Sequence, residues 1–229
     1  MKTSTRPVTK EFYERILALP LFQGLPKSEY LDMVERVRLN FETVRPRTVI
    51  IKQGALCDKF IFILSGSYEI TRISDLRDYE LTEFFDRPAL LDAASAYGLH
   101  THHLHTVRSA TTVQLLTVQK TAVFEILMNY ETFRLNYMNY LSTKVQRADA
   151  LLWRPRKLEF ATRLADFIGS RCVHPAGPKV LRIRQSVLAS HFMMTVNKIS
   201  KHLNLLNQSG DIERLRGIIK VPALESLSQ

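Results

Sequence analysis

The chain has 229 residues, of which 45% are hydrophobic and 24% charged, and its formal net charge is +10. This composition is typical of a soluble globular protein with one large domain or two modest ones. There is no apolar run near the roughly 20 residues of a membrane helix and no apolar core of signal-peptide type at the N-terminus. The two cysteines, Cys57 and Cys172, are isolated and form no disulfide framework. The sequence therefore predicts a cytoplasmic protein without a membrane segment.

The excess positive charge lies mainly in the last third of the chain. Residues 153–229 hold 13 Lys and Arg against 5 Asp and Glu, whereas residues 1–152 hold 19 against 17. A basic segment joined to a nearly neutral one indicates a polyanion-binding module attached to a different domain. Charge alone leaves a soluble domain with a basic surface as the alternative.

The first two thirds of the chain predict helix, then strands. Residues 9–39 have helical patterns on either side of the turn LFQGLP, and Ser28 is the predicted N-cap of the second helix. From Phe41 the chain changes to short β-branched and aromatic runs, namely TVIIKQG, KFIFILSGSYEITRI, YELTEFF and TTVQLLTV. Their spacing predicts a β-roll or sandwich, with Gly54 and Gly66 at turns that need positive φ.

A long helix is predicted next, from Thr121 to Leu152. Its apolar residues recur at spacings of three and four, the seam that two paired helices require. The predicted dimer interface consists of Met138, Leu141, Val145, Ala148 and Leu152. Packing of the same seam within one protomer is the alternative.

The run Trp153-Arg154-Pro155 predicts a break after this helix, because proline lacks a backbone donor and disfavours helix in the preceding residue. We therefore predict three parts: a sensing domain over 1–120, a dimerisation helix over 121–152 and a DNA-binding domain over 153–229. The predicted fold class is α+β.

Residues 185–221, QSVLASHFMMTVNKISKHLNLLNQSGDIERLRGIIKV, predict a winged helix-turn-helix. Phe192 can anchor the first helix, and Ile199 and Leu203 the second, with Thr195 as N-cap of the second. IERLRGIIKV then predicts a two-stranded wing. A helical hairpin with a solvated polar face is the alternative.

The second helix of this pair is the predicted recognition helix. Its exposed side shows Asn197, Lys198, Lys201, His202 and Asn204, and such side chains suit base edges and phosphates in a major groove. We predict base contacts from Asn197, Lys198 and Lys201. Predicted phosphate contacts come from Gln185, Ser186, Thr195, Arg214 and Arg216.

Four of the seven histidines lie in HTHHLH at 100–105. On a strand, His103 and His105 would share one face, and His100 and His102 the other. Two imidazoles on one face could hold zinc or one side of a haem, and a pH-sensitive or inert loop is the alternative. We assign no metal site, and the identity of any cofactor stays open. The chain also lacks GxSxG, HExxH and phosphate-loop motifs, so we predict that it is not an enzyme.

In order and spacing, LFQGLP, the QG at 53–54, FILSGS at 62–67 and the C-terminal helix pair resemble the Crp/Fnr (cyclic AMP receptor protein-like) family of transcription regulators. The resemblance covers essentially the full chain. It implies an N-terminal β-roll of the cyclic nucleotide-binding jelly-roll type, a long dimerisation helix and a C-terminal winged helix-turn-helix. It also implies effector-gated binding of double-stranded DNA by a homodimer, with RNA polymerase as a further candidate partner.

The chain departs from the family pattern at the effector pocket. Relatives that bind a cyclic nucleotide have a Gly-Glu step, which FFDRPALLDAASAYG lacks, and an Arg-Ser or Arg-Thr pair that meets the phosphate. Arg108 and Ser109 are the candidate effector residues here, although they lie close to the following helix, as a strand-end surface pair would. We therefore expect a degenerate pocket and an effector other than cyclic AMP.

The recognition helix also departs from the family pattern. The family often has Arg-Glu-Thr and a later Arg, where this chain has Val196, Asn197, Lys198 and Lys201, and Met193 replaces the turn glycine. Because Asn pairs with adenine, we expect a different DNA half-site. Two other functions stay open: a haem- or metal-dependent sensor that uses His100–His105, and an effector-free winged-helix protein that binds a protein partner.

Overall fold

The structure, a computed structural model, describes residues 10–153 and 159–228. It confirms the predicted α+β class. The helices are α1 (Lys10–Leu17), α2 (Lys27–Arg36), α3 (Lys120–Glu125), α4 (Glu131–Leu152), α5 (Phe160–Gly169), α6 (Gln185–Phe192) and α7 (Val196–Gln208). The strands are β1 (Asn40–Val44), β2 (Val49–Ile51), β3 (Lys59–Ser65), β4 (Tyr68–Ile73), β5 (Tyr79–Phe85), β6 (Ala89–Leu91), β7 (Thr106–Ser109), β8 (Val113–Gln119), β9 (Lys179–Ile183), β10 (Glu213–Leu215) and β11 (Ile218–Val221).

The described residues fall into two compact units. The first comprises those of Met1–Tyr68 and Phe85–Arg147, and the second those of Glu69–Phe84 and Ala148–Gln229. The β4–β5 hairpin thus belongs to the second unit although the chain enters it from the first. The predicted three-part division remains a prediction, and its break at Arg154-Pro155 lies outside the described residues.

The first unit contains the antiparallel sheet β1-β8-β3-β6, beside which β2 pairs with β7, as is typical of a β-roll. Phe60 and Phe62 on β3 are fully buried, and Phe62 packs against Phe22 with ring centroids 5.3 Å apart. Gly66 has φ of 101°, and a Cβ there would lie 2.4 Å from the Thr112 carbonyl oxygen, so only glycine fits this turn.

Two helix boundaries in this unit differ from the prediction. Pro26, not Ser28, precedes α2, because the helix already begins at Lys27. The continuous helix predicted from Thr121 is wrong: α3 ends at Glu125, and α4 begins only at Glu131. Between them Tyr130 has an extended backbone, and its hydroxyl donates a hydrogen bond to Asp32 at 2.6 Å. The local spacing of apolar residues gives no indication of this tertiary hydrogen bond, so the sequence pattern continued the helix through Tyr130.

The second unit contains the antiparallel sheet β10-β11-β9-β5-β4. Strand β5 pairs with β9 over five positions, from Tyr79 opposite Ile183 to Glu83 opposite Lys179. Helices α5, α6 and α7 contribute the apolar core beneath this sheet. That core includes Leu81, Leu164, Ile168, Leu181, Leu188, Ile199, Leu203 and Ile219.

Within residues 10–153 and 159–228, no helix has the length and apolarity that crossing a membrane requires.

Candidate nucleic-acid interface

Helices α6 and α7 form the predicted helix-turn-helix, joined by residues 193–195. Met193 has φ of 51°, a left-handed conformation that glycine adopts more easily. The conformation is held because the Met193 and Met194 amides donate to carbonyls of Ser190 and Ala189 at the end of α6. The methionine side chain itself is exposed. The turn is therefore made without the glycine usual in the resembling family.

The exposed side of α7 carries the predicted base-contacting residues. Asn197, Lys198 and Lys201 are all exposed, whereas Ile199 and Leu203 are buried in the core of the second unit. Helix α7 has no acidic residue, so nothing on the helix offsets its two lysines. The arrangement places amide and ammonium groups on one accessible face, as major-groove contact requires.

The N-terminus of α7 is capped as predicted. The Thr195 hydroxyl accepts a hydrogen bond from the Lys198 amide at 3.4 Å. Thr195 is itself exposed beside this first turn. At α6, Ser186 is exposed and Gln185 half-buried in the first helical turn, which contains no acidic residue. Both turns therefore present polar groups where a phosphate would meet a helix N-terminus.

His202 departs from the sequence prediction, which placed it on the exposed side of α7. It is half-buried, and its imidazole stacks on Phe160 with ring centroids 4.8 Å apart and planes inclined by 12°. The Phe160 ring of α5 covers this edge of α7. The helical periodicity of α7 alone gives no information on this contact with another helix. The polar face of α7 is correspondingly narrower than predicted.

Strands β10 and β11 form the predicted wing, with its turn at Arg216 and Gly217. Arg216 is exposed at that turn. The half-buried Arg214 instead folds onto α7, where its Nη2 donates to the Ser200 hydroxyl at 3.2 Å and its Nη1 donates to Asn204. Arg214 therefore ties the wing to α7, and its predicted phosphate contact remains a prediction.

The predicted dimer seam lies on α4. Met138, Val145, Ala148 and Leu152 are exposed, and the Val145 side chain is 68% exposed. Leu141 is half-buried against the core of the first unit. A row of large apolar side chains left open to solvent is unusual on a lone protomer and marks a surface that another partner can cover.

The candidate effector residues lie on β7. Arg108 is exposed, and its Nη1 donates to the Arg47 carbonyl at 3.2 Å. Ser109 is buried; its hydroxyl donates to the Arg45 carbonyl at 2.6 Å and accepts from the Thr48 amide at 2.9 Å. The Ser109 hydroxyl thus already bonds within the chain, and the effector role of both residues remains a prediction.

Two histidines of the run 100–105 have a carboxylate partner, Asp92, that the sequence pattern did not predict. His103 and His105 are buried, whereas His100 and His102 are exposed, although the run lies before β7 and forms no regular strand. The Asp92 carboxylate lies 2.6 Å from Nδ1 of His105 and 3.6 Å from Nδ1 of His103. The sequence signal is weak, because Asp92 stands more than ten residues earlier and reaches the histidines through a left-handed backbone with φ of 42°.

In the cluster of Asp92, His103 and His105, the pKa values of Asp92 and His103 are shifted from their ordinary values. Burial would raise the pKa of Asp92, but the two imidazoles outweigh burial and hold that pKa well below its usual range. Burial would lower the pKa of His103, but Asp92 and Cys57 outweigh it and raise the pKa to about 9. In the described parts of the chain no group of three or more His, Cys, Asp and Glu could hold a metal ion. Asp92 joins the two histidines through contacts within the first unit.

Comparison with known proteins gives one match to a domain family and several similar folds. Residues 41–130 match the family model of the cyclic nucleotide-binding domain. No curated protein matches the chain. The chain is similar to a structure from Eubacterium rectale named as a Crp/Fnr-family transcriptional regulator, at 19% identity and a TM-score of 0.52, over 91% of this chain and 97% of that one. It is also similar to the Thermus thermophilus Catabolite Activator Protein, at 19% identity and a TM-score of 0.51, over 91% and 98%.

At these identities the solved structures show the fold, and they confirm the resemblance drawn from the sequence at that level. Residues 41–130 therefore match the cyclic nucleotide-binding domain family, and the chain shares the fold of the two solved structures.

Proposed function

We propose that this protein is a homodimeric, sequence-specific DNA-binding transcription regulator. The observation that carries the proposal is the exposed face of α7, where Asn197, Lys198 and Lys201 project beside the wing with no acidic residue on the helix. A helix with such a face, entered through a capped turn and followed by a wing, fits a major groove. The two similar structures are named as a transcriptional regulator and an activator protein.

The dimer part of the proposal rests on α4. Its exposed apolar seam repeats at heptad spacing through Met138, Val145 and Leu152, which is the pattern of a two-helix pairing. Two protomers joined there would present two α7 helices to successive major grooves. The double-stranded site would then have two half-sites about one helical turn apart.

The regulatory part of the proposal concerns a small-molecule effector other than cyclic AMP. The matched domain lacks the Gly-Glu step, and Ser109 bonds to the backbone around it. An effector would act by favouring one of the chain's existing conformations, a population shift. The protein would act in the cytoplasm, without catalytic activity, with RNA polymerase as a candidate partner.

The DNA test begins with selection of bound fragments from a genomic library. Lys201→Ala and Asn197→Ala should each weaken binding to the selected site by about tenfold, the size expected for loss of one good base contact. Binding to random duplex should change much less. Lys52→Ala, an exposed lysine in the first unit, is the control and should bind like the wild type.

Equal losses on selected and random DNA would contradict base reading by these two residues and make them phosphate contacts. The salt dependence of binding to random duplex is the second measurement. Phosphate contact releases counterions, so affinity should fall steeply with salt. Absence of any binding to duplex would instead favour the winged-helix protein that docks a protein partner.

Val145→Asp should convert the dimer to monomer. A carboxylate at the centre of the seam would have to be buried without a partner, which opposes association. The measurement is sedimentation over a range of protein concentrations. Asn139→Asp places the same charge on an exposed position of α4 outside the seam and should leave the dimer intact; a dimer that survives Val145→Asp contradicts this interface.

A further inference from the structure

The second unit contains a cavity of about 370 Å³. Its walls come from the β4–β5 hairpin and from the residues at the end of α5. This volume is in the range of small-molecule sites. The lining residues are Arg72, Ser74, Asp75, Tyr79, Leu81, Ser170 and Arg171.

Arg171 is held rigidly in this wall by uncharged partners. Its Nε donates to the Tyr79 hydroxyl at 2.9 Å, and its Nη1 donates to the Phe167 carbonyl at 2.9 Å and to the Ser170 hydroxyl at 2.8 Å. The guanidinium also stacks on the Phe167 ring, 3.9 Å from the ring centroid. Four contacts thus fix a planar cation whose charge none of these partners neutralises.

The Nη2 edge of the Arg171 guanidinium has no acceptor among the described residues. Among residues 10–153 and 159–228, no carboxylate pairs with Arg171, and no protein atom accepts a hydrogen bond from its Nη2. A fixed guanidinium with an unused donor edge suits a two-oxygen acceptor, since its donors match carboxylate and phosphate geometry.

The opposite wall supplies a second cation and one anion. Arg72 is exposed on β4, and its side chain forms no ion pair or hydrogen bond with the described residues. Asp75 also lines the cavity and forms no ion pair with either arginine among those residues. The Ser74 hydroxyl, by contrast, already donates to Asp78 at 2.6 Å. The charged groups at the cavity therefore carry one more positive than negative charge.

We propose that this cavity binds a small oxyanion, a carboxylate or phosphate group carried by a compound that also offers a hydroxyl or amine donor. Arg171 and Arg72 would bind the anionic oxygens, and Asp75 would accept the donor. The ligand would bridge the hairpin and the end of α5, and so stabilise the hairpin within the sheet of this unit. All seven lining residues belong to the second unit, and the five from the hairpin also fall within the matched residues 41–130. The proposal does not require DNA binding.

The test uses the full chain at constant ionic strength, with inorganic phosphate and glycolate as probes and chloride as the background anion. Either probe should bind in calorimetry and raise the midpoint temperature of unfolding, because a ligand that binds only the folded state stabilises it. Binding of one probe alone also supports the site and assigns phosphate or carboxylate as its ligand group.

Arg72→Gln and Arg171→Gln should each weaken probe binding by about tenfold or more, since each removes a charge-assisted contact. Arg77→Gln, in the same hairpin but outside the lining, is the control and should bind as the wild type does. Arg72→Gln is decisive, because it removes no side-chain hydrogen bond or ion pair among residues 10–153 and 159–228. The proposal is overturned if neither probe binds the wild type up to about 20 mM, a very weak affinity, or if Arg72→Gln binds both unchanged.

Discussion

Replacing Lys179 with methionine is expected to lower the free energy of unfolding by about 3–5 kcal/mol, the usual cost of removing one partner of a buried ion pair. Lys179 and Glu83 are 2% and 3% exposed, and Nζ lies 3.5 Å from Oε2. Glu83 also accepts the Val173 amide at 2.5 Å and the His174 amide at 3.1 Å. Without the ammonium, the buried charge of Glu83 keeps these hydrogen bonds but loses its only ion-pair partner among the described residues. Chemical denaturation of the full chain measures the loss.

The same pair of strands supplies the matched control. Arg182 and Glu80 form an ion pair at 2.8 Å across β9 and β5, but their side chains are 50% and 32% exposed. Arg182→Met should therefore cost less than about 1 kcal/mol. The double variant Lys179→Met with Glu83→Gln should recover part of the loss, because it removes both charges. If Lys179→Met costs no more than Arg182→Met, the buried pair is not a principal support of this unit.

A second large effect is expected at the cluster of Asp92, His103 and His105. Asp92→Asn should lower the free energy of unfolding at pH 6 by about 2–3 kcal/mol, because it removes a buried charge that two imidazoles and two amides contact. Asparagine tolerates the left-handed backbone of this position. The decrease in the free energy of unfolding is therefore due to the removed charge and not to backbone strain. Denaturant titration at several pH values is the measurement.

The pH dependence of the free energy of unfolding follows from the shifted pKa values of His103 and Asp92. Because the folded pKa of His103 is about 9 against an ordinary 6.5, its contribution to stability is complete below pH 6.5 and is lost as the pH rises through 9. The pKa of Asp92 is lowered from 3.8, so its contribution is present above that value and is lost as the pH falls. The contribution of the cluster to the free energy of unfolding is therefore greatest between about pH 3.8 and pH 6.5.

Asp92→Asn should flatten the profile on both sides, whereas Asp58→Asn, at an exposed position, should leave it unchanged. A wild-type profile that does not decline between pH 6.5 and 9 would show that His103 is not held in its charged form.

The local features of the fold could be predicted from the sequence. The helix-turn-helix follows from apolar spacing and from Thr195, because both act within a few residues of chain. The exposed seam of α4 follows for the same reason, since Met138, Val145 and Leu152 lie on one helical face. Positive φ at Gly54 and Gly66 follows from the turns that these residues make.

The features that depend on distant contacts could not be predicted. Asp92 meets the histidines only after the chain turns, and Tyr130 interrupts a helical pattern by reaching Asp32. His202 fits the polar side of its own helix and is covered by Phe160 of another. Strand pairing is equally non-local: nothing in YELTEFF or KVLRI indicates that β5 and β9 become neighbours. The candidate base-contacting residues, Asn197, Lys198 and Lys201, could be selected from the sequence because they lie on one helix, α7.

The β4–β5 hairpin has a practical consequence for dissecting this molecule into fragments. A recombinant piece beginning after α4 would leave β9 without its β5 neighbour and expose a row of unpaired amides and carbonyls. Open sheet edges of this kind recruit other chains and promote aggregation. Leu81 would also be missing from the interior it helps to fill. The C-terminal half is therefore discontinuous in sequence, and a well-behaved excised version has to carry residues 69–84 grafted beside β9.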